Sequence, residues 1–183
     1  MKKKGINDKE VNSLIEKKIK EGKSRSEILE ELSEIYYDRK KLANLIALTP
    51  KPERRKKYKI YNDILLLLLI LTIFSRLLIG VLVLADISIF ATPFAFIYPL
   101  ITLYFAIEVS KFRAYIYKIL GLLALISVGD TIIKVEDFNF FFLLNLSIGI
   151  AVTFLTFYVG NKVFPNYGFG GPKEDEKGNI LLE

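Results

Sequence analysis

The chain has 183 residues, with 26 Lys and Arg against 20 Asp and Glu, and it contains neither Cys nor His. Those two absences remove disulfide frameworks, thiol nucleophiles, Ser-His-Asp systems, imidazole proton relays and zinc sites of the usual kind. Residues 1–60 hold 18 of the bases and 10 of the acids, so the positive excess lies in the N-terminal third and the lipid-compatible part follows it.

The first apolar run begins near residue 64, far behind the Lys2–Lys4 cluster, so an uncleaved first span is expected rather than a signal peptide. Ahead of it, residues 7–21 place Val11, Leu14, Ile15 and Ile19 at helical spacing, with Asn7 and Glu10 set as a capping box and Gly22 as the stop. A second helix begins at Ser24, where Glu27 repeats the capping arrangement, and its stripe is Ile28, Leu29, Leu32, Ile35 and Tyr36. A third starts at Asp38, buries Leu42, Leu45 and Ile46, and stops before Thr49 and Pro50. Three such helices can pack together, but a core of about 45 residues is marginal and is expected to need a partner or a membrane surface.

Lys51, Arg54, Arg55, Lys56, Lys57 and Lys59, with the single acid Glu53, form a basic cluster beside the first span. Positive charge there predicts a cytoplasmic flank in contact with anionic lipid headgroups, at about 1 kcal/mol per base. The same cluster lacks a defined reading element, which disfavours nucleic acid as the partner. Four apolar runs follow, over 64–85, 87–109, 114–133 and 140–164, each near the roughly 20 residues that cross about 30 Å of hydrocarbon.

The short connections set the expected topology. Lys111, Arg113 and Lys118 make the middle one basic, whereas Asp86 marks the first as acidic, and Lys134, Glu136 and Asp137 leave the third net negative. Tyr115 and Tyr117 on one side, with Phe138, Phe140, Phe141 and Phe142 on the other, suit interfacial positions. The expectation is therefore all-α. A cytoplasmic three-helix segment (1–58) precedes a four-transmembrane-helix bundle (59–164) and a cytoplasmic tail (165–183), in a cell membrane of the bacterial inner-membrane kind.

Arg76 is the most informative single residue, because a charge well inside a span is costly and usually faces protein or water. It lies about 18 Å into the first span, and Asp130 about 24 Å into the third, so an ion pair between the two is expected. Pro93 and Pro99 predict kinks in the second span. Asn145, Gly149, Thr153, Thr156 and Gly160 share one face of the fourth, a surface for close helix packing between spans or between copies of the chain, or for lining a pore. The tail combines turn-forming Pro, Gly and Asn with Glu174, Asp175 and Glu176 and reads as a partly ordered, solvated end.

No catalytic residue, metal site or cofactor is implied by these patterns. The leading expectation is a non-catalytic membrane adaptor, sensor or accessory subunit that docks a cytoplasmic protein through residues 1–58. A pore, channel or transporter component, including a homo-oligomeric membrane-permeabilising effector, is the alternative that Arg76, Asp130 and the prolines motivate.

Overall fold

The structure is a computed structural model and describes residues 4–87, 89–133 and 140–182, with side chains throughout except at 82–92 and 141. Lys134, Glu136, Asp137 and Phe138 fall outside the described residues, as do the side chains of Asp86 and Phe141. The chain is mostly helical and forms two compact units, one made of Met1–Tyr58 with Gly160–Glu183, the other of Lys59–Val159.

In the first unit, α1 (Asp8–Lys20), α2 (Arg25–Ile35) and α3 (Arg39–Leu48) each start on a side-chain cap. Asn7 accepts from the Lys9 N–H at 3.2 Å, Ser24 from Glu27 N–H at 3.2 Å, and Asp38 from Lys41 N–H at 2.9 Å. These side chains satisfy donors that the first helical turn leaves without a carbonyl. Only Ser24 forms the reciprocal box, with the Glu27 carboxylate accepting from the Ser24 N–H at 2.8 Å. Glu10 does not reach back in this way; its carboxylate instead lies 3.5 Å from the Tyr36 hydroxyl. Gly22, at φ +85°, takes the left-handed position that ends α1, where any other residue would be strained.

Val11 and Ile15 of α1, Ile28 and Leu32 of α2, Tyr36, and Leu42 and Ile46 of α3 form one buried cluster. Ile35, expected on the buried stripe, is exposed. The helix ends there, and Tyr36 turns to extended backbone (φ −112°, ψ 147°), which puts the Tyr36 ring into the core in its place.

The C-terminal residues complete this unit. After Phe164, β1 (Tyr167–Gly168) pairs antiparallel with β2 (Gly171–Pro172), and β2 packs on α3. Residues 173–181 then close a loop through the Leu181 N–H, which donates to the Lys173 carbonyl at 2.8 Å, and through Asp175, whose carboxylate accepts from the Lys177 and Asn179 N–H groups at 2.9 and 2.8 Å. Leu182 packs against the cluster of α1, α2 and α3. The tail is therefore docked at Leu182, which adds one half-buried side chain to the edge of the helical core, while residues 173–179 stay exposed.

The second unit begins with α5 (Lys59–Ile87), preceded in sequence by the short α4 (Pro52–Lys57). A 3-10 segment (Ile89–Phe96) leads into α6 (Ile97–Ser110), followed by α7 (Ala114–Ile133) and α8 (Phe140–Val163), whose last turn belongs to the first unit. α5 packs mainly on the 3-10 segment and α6, and α6 on α7. Four helical stretches among the described residues are long and apolar enough to cross a membrane: Lys59–Val81, Pro93–Ser110, Ala114–Ile133 and Phe142–Val163.

The second of these is not one continuous α-helix with kinks. Pro93 lies inside the 3-10 segment, and Pro99 is the third residue of α6. Proline has no N–H to give and crowds the preceding turn, so it breaks an α-helix in the middle but is tolerated in the first turn. The two prolines thus bracket a change of helix type.

The charged groups of the first unit give it an acid limit. Hydrogen bonds from Lys18 and Lys23 hold the Glu31 carboxyl below its ordinary 4.5, the Ser24 N–H and hydroxyl lower Glu27, and the Asn179 N–H lowers Asp175. A carboxyl lowered on folding stabilises the folded state above its unfolded value, and that stabilisation is lost as pH falls through the lowered folded value. Thermal unfolding followed by far-UV circular dichroism should show the midpoint holding steady from about pH 7 to 5 and falling below about 4.5. Glu31→Gln should lower the plateau and shrink the acid drop.

Candidate functional site

Polar contacts join helices of the second unit at one end. Asn62, one turn into α5, and Tyr117, one turn into α7, are 1% and 0% exposed. The Tyr117 hydroxyl donates to Asn62 Oδ1 at 2.6 Å, and Asn62 Nδ2 donates to the Val109 carbonyl at the end of α6 at 3.3 Å. One amide and one phenol therefore join three helices. The Val109 carbonyl also accepts from the Phe112 N–H at 3.0 Å, so the amide shares an acceptor with the turn that follows α6.

Beside this junction, Glu108 accepts from Lys111 Nζ at 2.8 Å and from the Tyr115 hydroxyl at 2.9 Å, with Arg113 Nε at 3.7 Å. The turn between α6 and α7 runs through Phe112, which takes φ +55° and buries its ring. A left-handed non-glycine residue costs about 1–2 kcal/mol, which burial of a phenyl ring, worth about 1.5–3 kcal/mol, offsets. Across α5 and α8, the Tyr61 and Tyr158 rings meet edge-on at 5.2 Å and Phe154 stacks on Tyr158 at 5.9 Å.

Arg76 and Asp130 both lie on exposed faces, of α5 and α7 respectively, and a pair between them is not among the ion pairs of the described residues. On α8, an added Cβ at Gly149 would stand 2.8 Å from Val128 Cγ2 of α7; likewise one at Gly121 of α7 would meet the Phe157 ring of α8 at 2.8 Å. These glycines set how closely α7 and α8 approach.

Thr156 and Gly160 are buried, while Asn145 and Thr153 are half-buried. The two threonines do not bond across helices: Thr153 donates to the Gly149 carbonyl at 2.8 Å and Thr156 to Val152 at 2.6 Å, each one turn back on α8. Of the basic cluster, Arg55, Lys56, Lys57 and Lys59 are exposed, and Lys51 and Arg54 are half-buried. Lys59 pairs with Asp63 at 2.6 Å, and Lys57 lies over the Tyr58 ring.

None of these groups forms a nucleophile with an adjacent base, and the described residues bring no three His, Cys, Asp or Glu together for a metal. No protein-family model matches the chain, and no curated protein or solved structure matches it significantly.

Reading the sequence did not single out the Asn62–Tyr117 junction. Its signal was present as a lone amide at the start of an otherwise apolar run, and as a tyrosine one turn into the third. Tyr117→Phe leaves a buried amide without its phenol partner and should cost about 1–3 kcal/mol, whereas Asn62→Leu combined with Tyr117→Phe should cost less than the two single changes together. Reversible unfolding in mixed micelles measures both; additive losses would show that the two side chains do not act as a pair.

Proposed function

We propose that the chain is a non-catalytic membrane protein whose four apolar helices span a bilayer and whose folded ends, both cytoplasmic, dock a soluble partner as an adaptor, sensor or accessory subunit. The observation that carries this reading is the pairing of the two chain ends in one charged helical unit, joined to helices that are apolar on every side. Within the most apolar 18 residues of each of the four stretches only 11, 28, 28 and 17% are buried. Leu67, Phe74, Leu78, Ile126, Ile150 and Phe154 are among those left exposed, and each gains about 1.5–3 kcal/mol on leaving water for hydrocarbon.

Ends that fold together must lie on one side of the bilayer, which an even number of crossings provides. The bases of 51–59, with Lys111, Arg113 and Lys118, and the tyrosines at 58, 61, 115, 117 and 158 all fall near one end of the apolar stretches by chain order. This is the pattern of a cytoplasmic interface, with the six bases of 51–59 against an anionic inner leaflet.

Because the chain has no cysteine, single cysteines report sidedness without background. In intact cells a membrane-impermeant maleimide should label Asp86→Cys and spare Ser13→Cys, placed on the exposed side of α1, and the full chain should retain a soluble protein at fixed stoichiometry that a chain lacking residues 1–50 loses. Labelling of Ser13→Cys from outside overturns the topology, and no retained protein overturns the docking role.

A conducting role has one observation in its favour: the 3-10 segment in the second apolar stretch, since backbone that is not α-helical is tolerated at membrane depth only against protein or water. Ion flux through liposomes should equal that of empty ones if docking is the role. Flux that Arg76→Ala with Asp130→Ala abolishes would establish the conducting role instead.

A further inference from the structure

The C-terminal tail meets the N-terminal helices in the manner of a bound peptide. Its contacts fall at two ends of a self-contained loop. At one end Lys40 Nζ pairs with the Glu174 carboxylate at 3.0 Å, with both side chains substantially exposed. At the other, Leu182 packs against the cluster formed by α1, α2 and α3, and the Arg25 guanidinium donates to the Leu182 carbonyl at 2.8 Å and to the Thr49 carbonyl, at the end of α3, at 2.5 Å.

Arg25 is only 7% exposed. A buried guanidinium that binds two main-chain carbonyls, beside an apolar surface on which one aliphatic side chain packs, recognises backbone and side chain separately. Between these contacts, residues 173–179 are exposed and bond to one another through Asp175 and Asn179. Gly168, Gly170 and Gly171 precede the segment and Gly178 interrupts it, with Gly171 and Gly178 at positive φ. Glycines ahead of the docked loop and between its two anchored ends give it joints about which it can leave.

From this arrangement we infer that the surface formed by α3 and the start of α2 is the docking site of the N-terminal unit, that its ligand is a hairpin-shaped segment presenting an acid to Lys40 and an aliphatic residue with its carbonyl to Arg25, and that the chain's own tail occupies it until such a partner segment displaces it. The inference rests on the docking role proposed above and adds where the partner sits and what holds it off. Displacement is then a competition between a tethered and a free segment. The tethered one has the advantage of effective concentration, so a partner binds the tail-released chain more tightly than the intact one.

The test uses the full chain in micelles and a fluorescent peptide of residues 171–183 as the probe. Three forms are compared: the wild type, Leu182→Asp with its tail released, and Lys40→Cys with Glu174→Cys joined by a short bis-maleimide, which holds the tail down in a chain without other cysteines. Binding should be at least tenfold tighter to the released form than to the wild type and absent from the locked form. It should also fail for a peptide carrying Leu182→Asp and weaken with Arg25→Gln in the released chain. Equal binding to wild type and locked chain, or none to either wild type or released chain, overturns the inference; the wild-type and locked forms keep their tails, so their comparison stands even if the released form unfolds. Peptide binding with no soluble protein ever retained would instead sink the docking role and leave the tail's own site intact.

Discussion

A helix that is apolar around its whole circumference has no face to give to water, and this constraint organises the chain. α5, α6, α7 and α8 satisfy their backbones along their own axes, so what remains to be solved is the surroundings of their side chains and of the few polar groups they carry. Hydroxyls are settled within the helix: Thr72, Thr102, Thr131, Thr153 and Thr156 all donate to the carbonyl four residues back. The exception is the end of the helices where Asn62, Tyr117 and the Val109 carbonyl meet. There the polar groups are used to fix one helix against another, and the buried Phe112 turn holds α6 and α7 in register beside them.

The features that sequence reading finds are those decided by near neighbours. Helix starts at Asn7, Ser24 and Asp38, the stop at Gly22, the buried faces of α1 and α3 and the four long apolar runs all follow from spacing and local hydrogen bonding. What periodicity cannot give is the identity of the group that covers a face. Ile35 and Tyr36 both satisfy the α2 pattern, and the choice between them is made by where the helix ends. Leu182 lies 157 residues from Arg25 in sequence, and nothing in the pattern of the tail marks it as a residue that packs against the N-terminal core.

The candidate sites divide along the same line. Gly149 is legible as a place of close approach, since a small residue on an apolar helix has few other uses, and the structure puts Val128 against it. The prolines were legible as disruptions, but whether a proline kinks a helix or begins one depends on its position in the turn, and Pro99 sits where a helix can begin. Arg76 was legible from charge alone. Depth along a helix fixes its height and leaves its azimuth free, so two residues at matching depths need not face one another.

The joining of distant stretches of chain in one unit has a consequence for how that unit forms. Val11, Ile28 and Ile46 meet across short lengths of chain, whereas the bond between Arg25 and the Leu182 carbonyl closes a separation of 157 residues. Closing a loop costs entropy that grows with its length, yet each doubling adds only about 0.6 kcal/mol, so the separation bears on rate more than on final stability. The three short helices therefore assemble early and the tail arrives late, and the slow step of the unit lies in the longest contact it makes.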